Sequence, residues 1–570
     1  MQTHMLKIST PRRKATLPQL GSRVPDVPHA ISVQLPKWQD MIDFAHRTER
    51  IANVQKSGYP RSFLHSTVQK VHDFFASQFG QADETCFVFS SDSYATSCVE
   101  YVCRPVQGKA DTGSSPTLGR VQSFTLEIDH TTVVVHTVFL SPSAADQGMT
   151  FWRLTGSGIS SRLAEDLLRG VETIKTCSLG SFPVHSEQTG PCSQRECSAY
   201  STIRGRVASL LERAPIGGPR SMLTAADDVF LYSTGMSAIY NLTTALRNWP
   251  GTKSVVFGFP YELTLKVQQD FAKSCVFYGF GTLSEMELLE DYLHMMMQQG
   301  TTIQAVWCEC ASNPLLRTVD LNRLRQLADR YGFVVIVDDT IGGVANVDLL
   351  GVADIVVSSL TKAFSGLADV MGGCVALNPQ SPFHARLRAV LRNGYSNDLY
   401  HRDAVKLEAN SRDYLPRAAK MNENTAQVIS LLLRFVDDPK TPLRQIYHPS
   451  TCTWSTPNFE ALMRPSVEDG FKAGHGGLFT LDFDTADDAA VFFDALDVYK
   501  GPSLGAEVTL AQPYVQTVFY KEKDWAARYG VRESIIRISV GVEDTEILIE
   551  AFSRAMTALR GSERPTRWLG

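Results

Sequence analysis

The stretch Val357–Gly373, VSSLTKAFSGLADVMGG, places one lysine, Lys362, just behind an apolar run and ahead of a glycine-rich tail. Two hydroxyls, Ser359 and Thr361, precede the ammonium. The run that feeds into it, ADIVVSSL, is short, β-branched and uninterrupted, which predicts a strand buried on both faces. Lysine at the end of such a strand is unusual, because burial disfavours its charged form and lowers its pKa. A partly desolvated amine is also a good imine-forming nucleophile.

Working outward, the same kind of run alternates with helical segments from about residue 198 to 414. DVFLYST precedes GMSAIYNLTTALRNW, SVVFGF precedes YELTLKVQQDFA, and IQAVWCE precedes LNRLRQLADRYG; FVVIVDD and ADIVVSSL follow. The alternation predicts an α/β fold with a mostly parallel sheet covered by helices. Ligands bind such sheets at the carboxyl ends of the strands. The polar clusters fall there: Ser233–Met236, Tyr261, Glu309–Asn313, Asp338–Asp339 and Ser359–Lys362. STGM opens a helix, so the N–H groups of Gly235 and Met236 suit an anion, and the Ser359 and Thr361 hydroxyls suit a phosphate. Asp338 stands 24 positions before Lys362 and is placed to pair with a protonated pyridine nitrogen. An imine-forming lysine, a phosphate cradle and an acidic pyridinium partner are together what pyridoxal 5'-phosphate requires. Each feature alone has a plainer reading: a solvated loop lysine, an ordinary helix start, a capped turn. The conjunction in chain order on one sheet edge carries the argument.

The chain of 570 residues is long enough for about three or four domain-sized units. With 20% charged residues and a net charge of -5, it gives no electrostatic reason to expect nucleic acid as partner. No apolar run approaches the ~20 residues of a membrane span. Its eleven cysteines lack zinc-site spacing, so no metal is expected, and they read as reduced thiols in a cytoplasmic protein. The boundaries read as a flexible tail over 1–30, a mixed α/β extension over 31–197, a large cofactor-binding domain over 198–414 and a small α+β domain over 415–570. RPVQGKADTGSSPTLG is expected as a loop, and the turn-rich stretch 178–197 as a boundary.

These motifs resemble the Cys/Met-metabolism family of pyridoxal-phosphate enzymes, which share the fold-type I architecture. The family's Ser-x-Thr-Lys and Val-Met-Gly-Gly elements are Ser359, Thr361, Lys362 and ADVMGG. Its Glu-x-Pro-x-Asn-Pro motif is ECASNPLLR, with Ala311 for the first proline. Its Val-Asp-Asn-Thr is VDDT, its Ser-Gly-Met-Ala is STGMSA, and its R-x-S-x-G-x-E-D is RISVGVED from Arg537. The extension, with SGYPRSFLHSTVQKV, and the later EANSRDYLPRAAKMNENT resemble the fungal cystathionine γ-synthase branch rather than the shorter bacterial enzymes.

The resemblance implies roles. Lys362 would carry the cofactor and shuttle protons between Cα, Cβ and Cγ; Asp338 would pair with the pyridine nitrogen. The ring of Tyr261 would stack on the cofactor and assist the leaving group. Asn313 would lie near the phenolic oxygen, and Gly235, Met236, Ser359 and Thr361 near the phosphate. Arg537 and Ser503 would bind the amino-acid substrate. Departures are also present. The family's Tyr-x-Arg pair, given to the phosphate by the neighbouring subunit, shows no clean copy, since AYSTIR at 199–204 is mis-spaced. SLGAEVTLAQPYVQTVFY replaces the family's Glu-Ser-Leu and Thr-His, and Val508 stands where a serine is usual. The implied reaction is γ-replacement on O-acetyl- or O-succinyl-L-homoserine, with L-cysteine as nucleophile, in methionine biosynthesis. The alternatives are a carbon or amine nucleophile in a specialised fungal pathway, and γ-lyase or sulfhydrylase activity. A homodimer or homotetramer is implied as well.

Overall fold

The computed structural model describes residues 17–104, 118–129, 131–177, 197–436, 438–466 and 470–561. Most of the loop expected after Arg104, the boundary stretch before Cys197 and the first sixteen residues of the expected tail lie outside these. Residues 17–30 are not a free lead. Val24 is fully buried, and Arg23–Val24 pairs antiparallel with Ser32–Val33.

The site is positioned by a seven-stranded sheet in the order Val229–Tyr232, Gly373–Leu377, Ile355–Ser358, Val334–Asp338, Ala305–Glu309, Ser254–Phe257, Cys275–Tyr278. The last five are mutually parallel. Gly373–Leu377 runs antiparallel to both its neighbours. Val334–Val337 and Ala305–Glu309 are buried throughout, as expected for strands covered on both faces. The register pairs Glu309 with Asp338, and Asp338 with Val357. The carboxylates and the lysine loop therefore meet at one edge because their strands end level.

The C-terminal unit is a five-stranded sheet in the order Leu443–Tyr447, Leu478–Phe483, Ile535–Ser539, Leu510–Gln512, Tyr499–Lys500. Helices Tyr414–Val436, Ala486–Ala495 and Thr545–Gly561 share a core with it. Side chains alternate along a strand, so Ile536 and Ile538 enter that core while Arg537 points to the opposite face.

The N-terminal unit is an antiparallel sheet in the order Thr85–Phe89, Thr131–Leu140, Gly119–Ile128, Lys175–Cys177. Helices Ser66–Phe79, Asp92–Val102, Ala145–Thr155 and Ser161–Gly170 cover it. It docks on the large sheet through Phe151, Trp152 and Tyr94, which share one core with Met236, Tyr240 and Phe271. A buried ion pair, Arg162 to Asp403 at 2.9 Å, fixes the contact. The segment before this unit straps the small domain to the lysine loop. Ile31 N–H donates to the Ala368 carbonyl (2.9 Å), Leu35 N–H to the Lys500 carbonyl (2.8 Å), and the Ser32 hydroxyl to the Pro502 carbonyl (2.6 Å).

Candidate active site

A cavity opens where the three units meet; its unfilled volume, counting the open mouth, is about 1230 Å³. It brings together all ten residues singled out from the sequence: Gly235, Met236, Tyr261, Asn313, Asp338, Ser359, Thr361, Lys362, Ser503 and Arg537.

Lys362 is 8% exposed. Its Nζ donates to the Tyr59 phenolic oxygen at 3.0 Å and to Ser503 Oγ at 3.2 Å, and lies 4.2 Å from the centre of the Tyr59 ring. Burial lowers the amine's pKa; Tyr59 opposes this, and Arg537 and Arg61 reinforce it. The Tyr59 phenol is raised by burial but brought below its usual range by Lys362 and Arg61 beside it. Ser503 holds a left-handed φ of +100°, strained for a residue with a side chain, and joins both cations. Its hydroxyl accepts from Lys362 and its carbonyl from Arg537 (3.1 Å).

The anion side is built on the helix Gly235–Ala245. Thr234 caps it, its hydroxyl accepting from Ser237 N–H at 2.9 Å, which leaves the N–H groups at the start of the helix for another acceptor. A Cβ on Gly235 would come within 2.7 Å of the Ser359 Cβ, so only glycine lets the lysine loop approach this closely. Ser359 lines the cavity with its N–H donated to Thr340 Oγ1 (2.9 Å). Thr361 departs from expectation: its hydroxyl donates to the Gly372 carbonyl (3.1 Å) and accepts from Gly372 N–H (3.0 Å). That hydroxyl closes the glycine-rich loop and has no hydrogen left to give a phosphate.

Asp338 accepts from Thr340 N–H at 2.9 Å, and burial raises its pKa. No cation pairs with it among the described residues, as suits a carboxylate awaiting a pyridinium. Glu309 accepts from the N–H groups of Tyr261 (2.6 Å) and Asn313 (3.0 Å), and is held well above its usual range by burial and then by Asp338. Asn313 lines the cavity and is also bound to its neighbours. Its Oδ1 accepts from Arg537 Nη1 (3.0 Å) and its Nδ2 donates to the Tyr514 hydroxyl (3.0 Å), so it orients the arginine. Gln512 Oε1 accepts from Arg537 Nη2 (2.6 Å), and the guanidinium carbon sits 4.6 Å from the centre of the Tyr514 ring. Arg537 is thus held by four side chains or carbonyls while it lines the cavity.

Sequence reasoning missed Tyr59 and Arg61. They form a Tyr-x-Arg pair, Tyr59-Pro60-Arg61 inside SGYPRSF, far ahead of AYSTIR. Both line the cavity within their own chain, beside Lys362. Arg61 is 5% exposed and makes no hydrogen bond or ion pair with any described residue. A buried guanidinium left unpaired is costly. Together with the helix N-terminus it fits a bound phosphate, so the residues present suit pyridoxal 5'-phosphate. Gln512 and Tyr514 lay in the stretch noted as altered, but nothing in their spacing tied them to Arg537.

Sheet, lysine and anion site together define a fold-type I pyridoxal-phosphate enzyme. The chain belongs to the Cys/Met metabolism PLP-dependent enzyme family, which it matches over residues 199–557. Residues 67–160 match the N-terminal domain of fungal trans-sulfuration enzymes. Alanine racemase ungC of Aspergillus violaceofuscus is 36% identical, covering 96% of this chain and 97% of its own. Cystathionine gamma-synthase of Neurospora crassa is 32% identical, covering 94% and 98%. The solved cystathionine gamma synthase of Xanthomonas oryzae pv. oryzae, in complex with aminoacrylate and cysteine, shares the fold: its TM-score is 0.52 at 22% identity, over 67% of this chain and 91% of that one.

Proposed function

We propose that this protein catalyses γ-replacement on an activated homoserine ester, O-acetyl- or O-succinyl-L-homoserine, with L-cysteine as nucleophile, giving cystathionine and the free carboxylic acid. The observation that carries the reading is the placement of Lys362 Nζ, 3.0 Å from the Tyr59 oxygen, on the wall it shares with Arg537. Bound pyridoxal 5'-phosphate would supply the electron sink that acidifies the substrate's Cα and Cβ hydrogens. Lys362, with its lowered pKa, takes and returns those protons, and the Tyr59 phenol is its proton partner. Arg537 holds the α-carboxylate, aimed by Asn313, Gln512 and the Ser503 carbonyl. Tyr261, whose phenol is held well above its usual range by desolvation, would stack on the ring and serve the leaving group. Asp338 would pair with the pyridine nitrogen. Gly235, Met236, Ser359 and Arg61 would hold the phosphate. Phe44, Val518 and Tyr520 line the same cavity, whose volume gives the room that a γ-ester and an incoming thiol need. Family membership and the γ-synthases among the relatives support this reading. A homodimer or homotetramer and a cytoplasmic setting belong to it.

Two observations favour other products. The altered stretch AQPYVQTVFY, of which Gln512, Tyr514, Thr517, Val518 and Tyr520 line the cavity, suits a carbon or amine nucleophile. The racemase among the relatives favours a simpler cycle, in which the Cα proton is removed and returned with no γ-departure. One mass-spectrometric assay separates the three. The loaded enzyme is given O-acetyl-L-homoserine with L-cysteine, and separately L-alanine with chiral analysis. The proposal expects cystathionine and acetate in equal amounts. Acetate without cystathionine moves the reading to another nucleophile, and D-alanine without acetate release overturns it.

A further inference from the structure

Arg153 belongs to none of the family motifs. It lies in the last turn of the helix Ala145–Thr155, within the N-terminal unit, yet it lines the active-site cavity beside Gly235, Met236 and Arg61. Close packing puts it there. The helix ends at Gly156, whose φ is +62°. A Cβ at Gly156 would collide with the Thr234 hydroxyl and come within 3.0 Å of Ser237 N. The Thr234 hydroxyl also donates to the Gly156 carbonyl at 3.1 Å. The last turn of one helix therefore abuts the first turn of Gly235–Ala245, where the anion site lies. Trp152, next to Arg153, anchors the turn in the shared core, and the Arg61 guanidinium sits 5.7 Å from the centre of its ring.

The electrostatics of this wall are unbalanced. Arg61 and Arg153 are near enough for Arg153 to disfavour the charge on Arg61, after burial as the larger cause. Neither makes an ion pair or hydrogen bond with a described residue, and Arg153 Nε is buried without a partner. The carboxylates of the cavity are engaged elsewhere: Glu262 with Lys266 at 2.8 Å, Glu309 with two backbone N–H groups, Asp338 with Thr340. Two unpaired guanidiniums beside a helix N-terminus match a doubly charged anion with several oxygen acceptors.

We propose that Arg153 and Arg61 hold the cofactor phosphate together, so that the N-terminal unit supplies a cation to the cofactor site. The inference rests on the family's cofactor. The solved relative aligns with only 67% of this chain, and the extra unit would then be part of the catalytic apparatus rather than an appendage. The test compares pyridoxal 5'-phosphate with pyridoxal, which lacks the phosphate, in titrations of the full-length apoprotein. Arg153→Met keeps the length of the stem and removes the charge. It should weaken pyridoxal 5'-phosphate about tenfold or more, while pyridoxal changes by less than about twofold. Arg153→Lys should recover most of the loss, and inorganic phosphate should raise the melting temperature of the wild-type apoprotein more than that of Arg153→Met. Equal weakening of both ligands would show that Arg153 only packs. Unchanged phosphate-ester affinity would show that the anion lies elsewhere. Either result overturns the proposal, whereas a wild-type chain that binds neither ligand would count against the cofactor assignment itself.

Discussion

At the scale of single residues, the site is a set of paired constraints. Ser503 touches both cations, and Asn313 connects Glu309 with Arg537. Arg537 is buried, and burial lowers its pKa, so the position is tolerable only with acceptors on every side. Three are Asn313 Oδ1, Gln512 Oε1 and the Ser503 carbonyl, and a substrate carboxylate would complete the set. Arg537→Ala should therefore raise KM for the amino-acid substrate roughly 10–100-fold, the loss of a buried charge-assisted pair. The absorbance of the lysine-bound cofactor should stay unchanged. An unaltered KM would remove the role, measured by steady-state kinetics alongside the spectrum. Residue identities were legible where chemistry demands a type at a spacing: Lys362 after its strand, Asp338 after its own, Arg537 in RISVGVED. The use made of a side chain was not. The Thr361 hydroxyl is taken up by Gly372 across the loop, and Asn313 binds Tyr514 and Arg537, partners about 200 positions away that no local pattern names.

At the scale of elements, the alternation of apolar runs with amphipathic segments fixes the sheet because each signal is local. The strand Val334–Asp338 and the helix Leu321–Tyr331 show why. The helix is capped by Asp320, whose carboxylate accepts from Arg323 N–H at 2.9 Å, and stopped by Gly332 at φ +74°. The strand is aliphatic until its terminal aspartate. The antiparallel direction of Gly373–Leu377 was not legible, because five apolar residues look alike in either direction and only the short return from the lysine loop decides it. The ordering of residues 17–63 was equally hidden. This segment is anchored by backbone hydrogen bonds to Ala368 and Lys500, partners that no local pattern names.

At the scale of the whole molecule, the segment that carries Tyr59 and Arg61 sets how a site is assembled. The family pattern draws this pair from the neighbouring subunit, and here it reaches the lysine of its own chain. Only residues 62–65 separate Arg61 from the helix beginning at Ser66, a reach of about 14 Å. That helix belongs to the unit pinned by the Arg162–Asp403 pair. Arg61→Ala and Lys362→Ala chains, denatured and refolded together, should then recover no turnover, since neither chain holds a complete site. Recovery to about a quarter of wild type, the statistical yield of one whole site per mixed dimer, would show that the segment crosses between subunits. The three units converge on one amine, and the account stands or falls on it. The most direct measurement is borohydride reduction of the holoprotein, followed by digestion and mass mapping of the pyridoxyl group. The account predicts the label on Lys362 alone; a label on another lysine, such as Lys266 or Lys500, or on none, would contradict it.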